Sequence, residues 1–136
     1  MRFTNTKFTV TAGALVFNDR GEVLLLKHAF RAGSGWGMPG GFMESGEQPD
    51  QTLRRELLEE VGIEVSDVRV FTARSFKKIR QVEIIFVCHS SGNAKPISVE
   101  VERAEWFQAD ALPQGLARDQ RKLIEAALAN GANLRD

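Results

Sequence analysis

From residue 8 the chain reads FTVTAGALVF and from residue 22 EVLLLKH, two apolar runs rich in β-formers, separated by the polar stretch Asn18-Asp19-Arg20-Gly21. Runs of this length divided by turn chemistry predict strands over residues 8–17 and 22–28, joined as a hairpin. A polar loop with two glycines follows over residues 29–36. Glycines then recur at Gly37, Gly40, Gly41 and Gly46, which allows tight backbone close to a ligand. The next periodicity is helical. Leu53, Leu57 and Val61 fall on one stripe at 100° per residue, Pro49 suits a first helical position, Asp50 suits the first turn, and Gly62 is a stop. Together they predict a helix over residues 49–61.

Residues 68–76 (VRVFTARSF) alternate and predict a strand, with residues 81–88 (QVEIIFVC) as its antiparallel partner across a basic turn containing Lys77, Lys78 and Arg80. A polar loop over residues 90–96 leads to a further strand over residues 98–107. Leu116, Leu123, Ile124, Ala127 and Leu128 then share one face of a helix over residues 116–130, which Gly131 closes. Strands, a helix, more strands and a final helix predict an α/β fold with a mixed sheet between helical layers.

Composition narrows this picture. The 136 residues suffice for one domain, residues 1–136, and not for two ordinary ones. Lys plus Arg equals Asp plus Glu at 18 each, so no charge bias favours a nucleic acid polymer or an anionic membrane, and phosphate recognition has to be local. The lone cysteine, Cys88 in an apolar run, excludes an internal disulfide and reads as a buried small hydrophobe. The first ten residues lack a long apolar run and a small-residue cleavage site, and no later segment approaches a membrane span, so the expected location is cytoplasmic.

The candidate chemistry lies on the central helix. Glu56, Glu59 and Glu60 cluster on one arc beside the apolar stripe, where like charges destabilise an isolated helix by a few tenths of a kcal/mol per pair. A hard divalent cation is the natural compensation, and Arg55 can also reach Glu59 at i,i+4. An all-oxygen donor set suits Mg²⁺ or Mn²⁺, and no Cys/His cluster suits zinc. In the preceding loop, His28 and Arg31 are candidates for a substrate phosphate, as are Lys78 and Arg80 in the basic turn. The bland alternatives are a strand-end histidine, a solvated loop arginine and a solvated turn. Trp36 is expected to pack beneath the glycine loop, the alternative being a stack on a base.

Gly41, Glu47, Arg55, Glu56, Leu57, Glu59, Glu60, Gly62 and Ile63 fall on every fixed position of the Nudix box, G-x5-E-x7-R-E-U-x-E-E-x-G-U with U aliphatic. Trp36-Gly37-Met38-Pro39-Gly40 resembles the usual lead-in to that box. The resemblance implies an α/β/α sandwich and a metal-dependent pyrophosphohydrolase acting on a nucleoside diphosphate linked to another group. It implies that Glu56, Glu59 and Glu60 bind the metal, with the Gly40 carbonyl as a further ligand, while Arg55 and Glu47 hold the cluster in place. The base varies in similar enzymes and stays open here among Glu44, Glu59, Glu83, Glu100 and Glu102. Glu100 is favoured, because an acid at its offset from Trp106 approaches the metals in similar proteins, and alternation would put Glu100 and Glu102 on one strand face. Nucleotide sugars or ADP-ribose lead the expected substrates, ahead of nucleoside triphosphates, oxidised ones included, and dinucleoside polyphosphates. A homodimer is expected from the family alone. The rival reading is a Nudix-like sensor that binds a nucleotide without turnover; a third is a scaffold whose acids only solubilise it.

Overall fold

A strand that is apolar at every position needs cover on both faces. In the computed structural model, which describes residues 6–30 and 33–133, the run AGALVF lies in β1 (Thr9–Phe17) and is buried throughout. Ala12, Ala14 and Val16 face one apolar layer, and Leu15 and Phe17 face the other. The first layer is completed by Leu53, Leu57 and Val61 of α1 (Pro49–Val61), the second by Ile124 and Ala127 of α2 (Arg118–Ala129). The result is the expected α/β/α sandwich. Among the described residues no helix is long and apolar enough to cross a membrane.

The sheet is mixed. β1 runs parallel to β6 (Gln81–His89) along its whole length, and β6 pairs antiparallel with the edge strand β5 (Ser66–Phe76). The predicted hairpin forms, with Asn18 Oδ1 accepting the Arg20 and Glu22 N–H groups at 3.0 and 2.9 Å, but its ladder is short. β2 (Val23–His28) meets β1 only at Phe17 and Val23, then pairs with β7 (Val101–Phe107) and with β3 (Trp36–Gly37). The space that opens beside β1 is taken by β4 (Gly40–Phe42), paired antiparallel with Thr11 to Gly13. Two segments read as loop thus carry short strands.

Three further starts differ from expectation, the first being β5, which begins at Ser66 in place of residue 68. The last strand begins at Val101, because Ser98 to Glu100 form a turn closed by the Val101 N–H on the Ser98 carbonyl at 3.1 Å. Glu100 therefore shares no strand face with Glu102. The final helix begins at Arg118; Leu116 is buried beneath it from the preceding turn, and Gly131 follows the helix at φ +72° as expected. Cys88 is buried, and burial pushes its thiol up to about 12, which makes it an inert hydrophobe.

Candidate active site

α1 is fixed at both ends by its own sequence. Gln48 precedes Pro49 and donates its N–H to Gln51 Oε1 at 2.8 Å, while Gly62 adopts φ 69° and donates its N–H to the Leu58 carbonyl at 3.1 Å. With Leu53, Leu57 and Val61 turned into the core, the spacing carries Glu56 and Glu60 to the edge of the buried face, at 16% and 12% side-chain exposure. Glu59 stands further out, at 57%.

Arg55 gathers these acids. Its Nε and Nη2 donate to Glu47 Oε2 and Oε1 at 2.7 and 3.0 Å, a two-pronged clasp, and Nη1 donates to Glu56 Oε1 at 3.0 Å and Glu59 Oε2 at 3.2 Å. Nη2 also reaches the Phe42 carbonyl at 3.1 Å, and Glu44 lies 3.7 Å from Nη1. Glu47 further accepts the Glu44 N–H at 2.8 Å and the Thr52 hydroxyl at 3.0 Å. These bonds, led by those from Arg55, hold the Glu47 carboxyl down at about 2, and the same clasp raises the arginine above its ordinary value.

The two glycines of β4 pack the strand between Glu56 and β1. A Cβ on Gly41 would lie 2.4 Å from the Glu56 carboxylate, so only glycine lets the strand lie on that group. At Gly40, with φ +153°, a Cβ would meet the Ala12 carbonyl oxygen at 2.2 Å. On the other side of the cluster His28 Nε2 stands 3.9 Å from Glu60 Oε2. Ala29 donates its N–H to the Glu100 carbonyl at 3.0 Å, which places the 98–100 turn beside the end of β2.

For a hard cation the donors fit in kind. Glu56 and Glu59 each give one oxygen to Arg55 and keep another, and Glu60 is a buried carboxylate beside them. Among the described residues, no three His, Cys, Asp or Glu side chains already converge as a ligand cage; a cation here would be held by the carboxylate oxygens that Glu56 and Glu59 do not give to Arg55, together with Glu60.

A cavity of about 240 Å³ opens next to the glycines, lined among others by Thr11, Gly13, Met38, Phe42, Glu83 and Gln120. Gln81, the residue after Arg80, also lines it, so the exposed basic turn with Lys78 and Arg80 stands next to its rim. Arg31 lies outside the described residues. Trp36 stacks edge-on against Phe107 at 5.1 Å beneath the Arg103 guanidinium, so the packing reading holds for it, with a β7 partner in place of the glycine loop. Glu102 is exposed on β7. The residues that sequence reasoning missed are Thr11, Arg74 and Gln120. For Arg74 a signal existed: counting back from the 77–80 turn pairs it with Glu83, as observed.

A family model of the NUDIX domain matches residues 7–127. The chain belongs to the Nudix family. Its similarity extends to NAD-capped RNA hydrolase NudC of Vibrio cholerae, 32% identical over 112 residues that make up 80% of this chain and 42% of that protein. The 8-oxo-dGDP phosphatase NUDT18 of Danio rerio is 31% identical over 121 residues, 85% of this chain and 37% of that protein. The chain thus spans less than half the length of these relatives. Among solved structures, the MutT NUDIX hydrolase of Burkholderia pseudomallei superposes with a TM-score of 0.77 at 28% identity, covering 88% of this chain and 98% of that one. The Arg55 cluster and Gly41 of β4 belong to the Nudix box of this domain.

Proposed function

We propose that this Nudix domain is a metal-dependent pyrophosphohydrolase that adds water across the diphosphate of a nucleoside diphosphate linked to another group, releasing a nucleoside monophosphate and a phosphorylated remainder. The observation that carries the reading is Arg55, which clasps Glu47 and touches Glu56 and Glu59 while β4 lays Gly41 onto Glu56. Magnesium or manganese held by Glu56, Glu59 and Glu60, with the Gly40 carbonyl, would neutralise phosphoryl charge and acidify a bound water. The chain's own residues do the positioning. Arg55 and Glu47 fix the helix acids, the basic turn with Lys78 and Arg80, together with Arg31, is assigned to the diphosphate as its source of cations, and His28 is assigned as a hydrogen-bonding contact to it. For placing the attacking water we put forward Glu100, whose turn bonds to Ala29 on the His28–Glu60 side of the cluster.

The relatives' names share one chemistry: the cap cleaved by NudC is a dinucleoside diphosphate, and NUDT18 acts on a nucleoside diphosphate. This supports a diphosphate substrate such as ADP-ribose or a nucleotide sugar, with nucleoside triphosphates and dinucleoside polyphosphates next. A capped RNA enters the test on the strength of the NudC name, although balanced charge had argued against a polymer. A cytoplasmic location and a homodimer belong to the same proposal. The experiment is hydrolysis of a panel of these compounds with Mg²⁺, with Mn²⁺ and after exhaustive chelation, with both products identified. Turnover that survives chelation would overturn metal dependence. Ligand binding without turnover on the whole panel would make the domain a sensor.

A further inference from the structure

Glu83 stands apart from the acids of the Nudix box. Along β6, Phe86 and Cys88 face the α1 layer while Ile85 and Val87 face the α2 layer, and alternation puts Glu83 with the second pair. Its carboxylate is thus on the sheet face opposite α1, away from Glu56 and Glu60, which argues against Glu83 as the base.

The surroundings of Glu83 define another task. Arg74, directly opposite on β5, donates Nε to Glu83 Oε1 at 2.6 Å, and its Nη2 pairs with Asp119 in the first turn of α2 at 3.0 Å. No protein donor among the described residues reaches Oε2. That oxygen faces Gly13, where a Cβ would lie 3.7 Å from it and 3.3 Å from Met38 Cε. Next to Asp119, Gln120 takes the Met38 N–H on its Oε1 at 2.8 Å. A backbone N–H only donates, so this bond fixes the amide orientation and leaves the Gln120 NH₂ as donor toward the cavity. Glu83 and Gln120, a carboxylate and an amide, therefore line the same space of about 240 Å³, with the exposed ring of Phe42 at its edge. That is smaller than the roughly 300–1,000 Å³ of pockets that swallow a drug-sized ligand. It suits a single heterocycle, with the rest of a substrate lying across Gly40 and Gly41 toward the acids.

We propose that Glu83 is the specificity-determining acceptor for a nucleobase edge that presents an N–H beside an acceptor, as adenine and guanine do, and that Arg74 is its positioning residue, holding one carboxylate oxygen so that the other points into the cavity. This deepens the pyrophosphohydrolase reading by naming how the base is read. A group placed to accept an N–H discriminates against an analogue that lacks it, because the part-buried acceptor, at 16% side-chain exposure, then loses that partner.

The test is calorimetric binding of AMP, GMP and purine riboside 5′-monophosphate, which lacks the N–H donor edge, in chelated buffer where nothing turns over. The wild-type chain is expected to bind AMP or GMP at least about tenfold more tightly than purine riboside monophosphate. In Glu83→Gln and in Arg74→Gln, each with a wild-type-like circular dichroism spectrum, that ratio is expected to fall to about threefold or less. Equal wild-type affinity for all three ligands overturns the proposal without recourse to any variant, and so does an undiminished ratio in folded Glu83→Gln. If the discrimination holds while no diphosphate in the panel is hydrolysed, the enzymatic reading fails and this one stands.

Discussion

Arg55 is the residue on which the site turns, because one planar cation meets Glu47, Glu56 and Glu59 at once. Replacing it with alanine frees those acids to repel one another and to drift, so Arg55→Ala is expected to lower kcat by about 10- to 100-fold with a smaller change in KM. A rise in KM alone would make Arg55 a simple substrate contact. Lysine should not restore the rate, since it lacks the fork that spans both Glu47 oxygens. The clasp also has a pH signature. Glu47 is held down at about 2 from an ordinary 4.5, so the stability it contributes is fully present above the ordinary value and is lost as pH falls toward 2. Thermal unfolding across this window should show a shallower acid decline for Glu47→Gln than for the wild type; identical pH slopes would mean that the clasp adds nothing to the fold. At this scale the sequence was informative, because Arg55, Glu56, Glu59 and Glu60 are neighbours on one helix and their meeting depends only on its period. The Glu47 contact needed the glycine loop as well. Arg74 and Glu83 face each other across the 77–80 turn, but Asp119 comes from α2, far along the chain, and spacing within the hairpin says nothing of it.

At the scale of elements, β4 decides whether backbone and acids meet. Gly40→Ala would drive a Cβ into the Ala12 carbonyl, a backbone group that cannot move aside, at a φ that side chains rarely adopt. It should cost about 1–3 kcal/mol, read as a lowered Tm. Gly41→Ala meets only the movable end of Glu56, so it should keep its Tm and lose activity; equal melting losses for the two variants would contradict this account. The short strands β3 and β4 were invisible in the sequence because two or three residues rich in Gly are too short to show alternation, and their pairing is imposed by β2 and β1. The misplaced start of β7 has the same origin: alternation from residue 98 looked like strand, while the bond from Val101 to Ser98 makes it a turn. Glu100 keeps its place next to β2 without the strand geometry first expected, and Glu100→Gln tests it. A wild-type rate across pH in that variant would remove Glu100 from the mechanism.

Over the whole molecule, one buried strand carries an apolar layer on each face, with the glutamate-bearing helix α1 on one side and the cavity-lining helix α2 on the other. Leu57, fully buried on the inner face of α1, couples site and core. Leu57→Ala should destabilise by about 2–5 kcal/mol while leaving the chemistry of the surviving folded fraction intact. The order of layers was legible from hydrophobic period alone. The divergence of β2 from β1 was not, since a hairpin turn fixes only where two strands start together. The central claim is that the helix acids direct water onto a diphosphate, and the most direct measurement is hydrolysis of ADP-ribose in ¹⁸O-labelled water by the wild type and by folded Glu60→Gln. The account predicts AMP and ribose 5-phosphate as products, one of them carrying the label on its phosphate, and a rate lower by orders of magnitude in Glu60→Gln. Equal rates in the two proteins, or label found only on the sugar carbon, would contradict it.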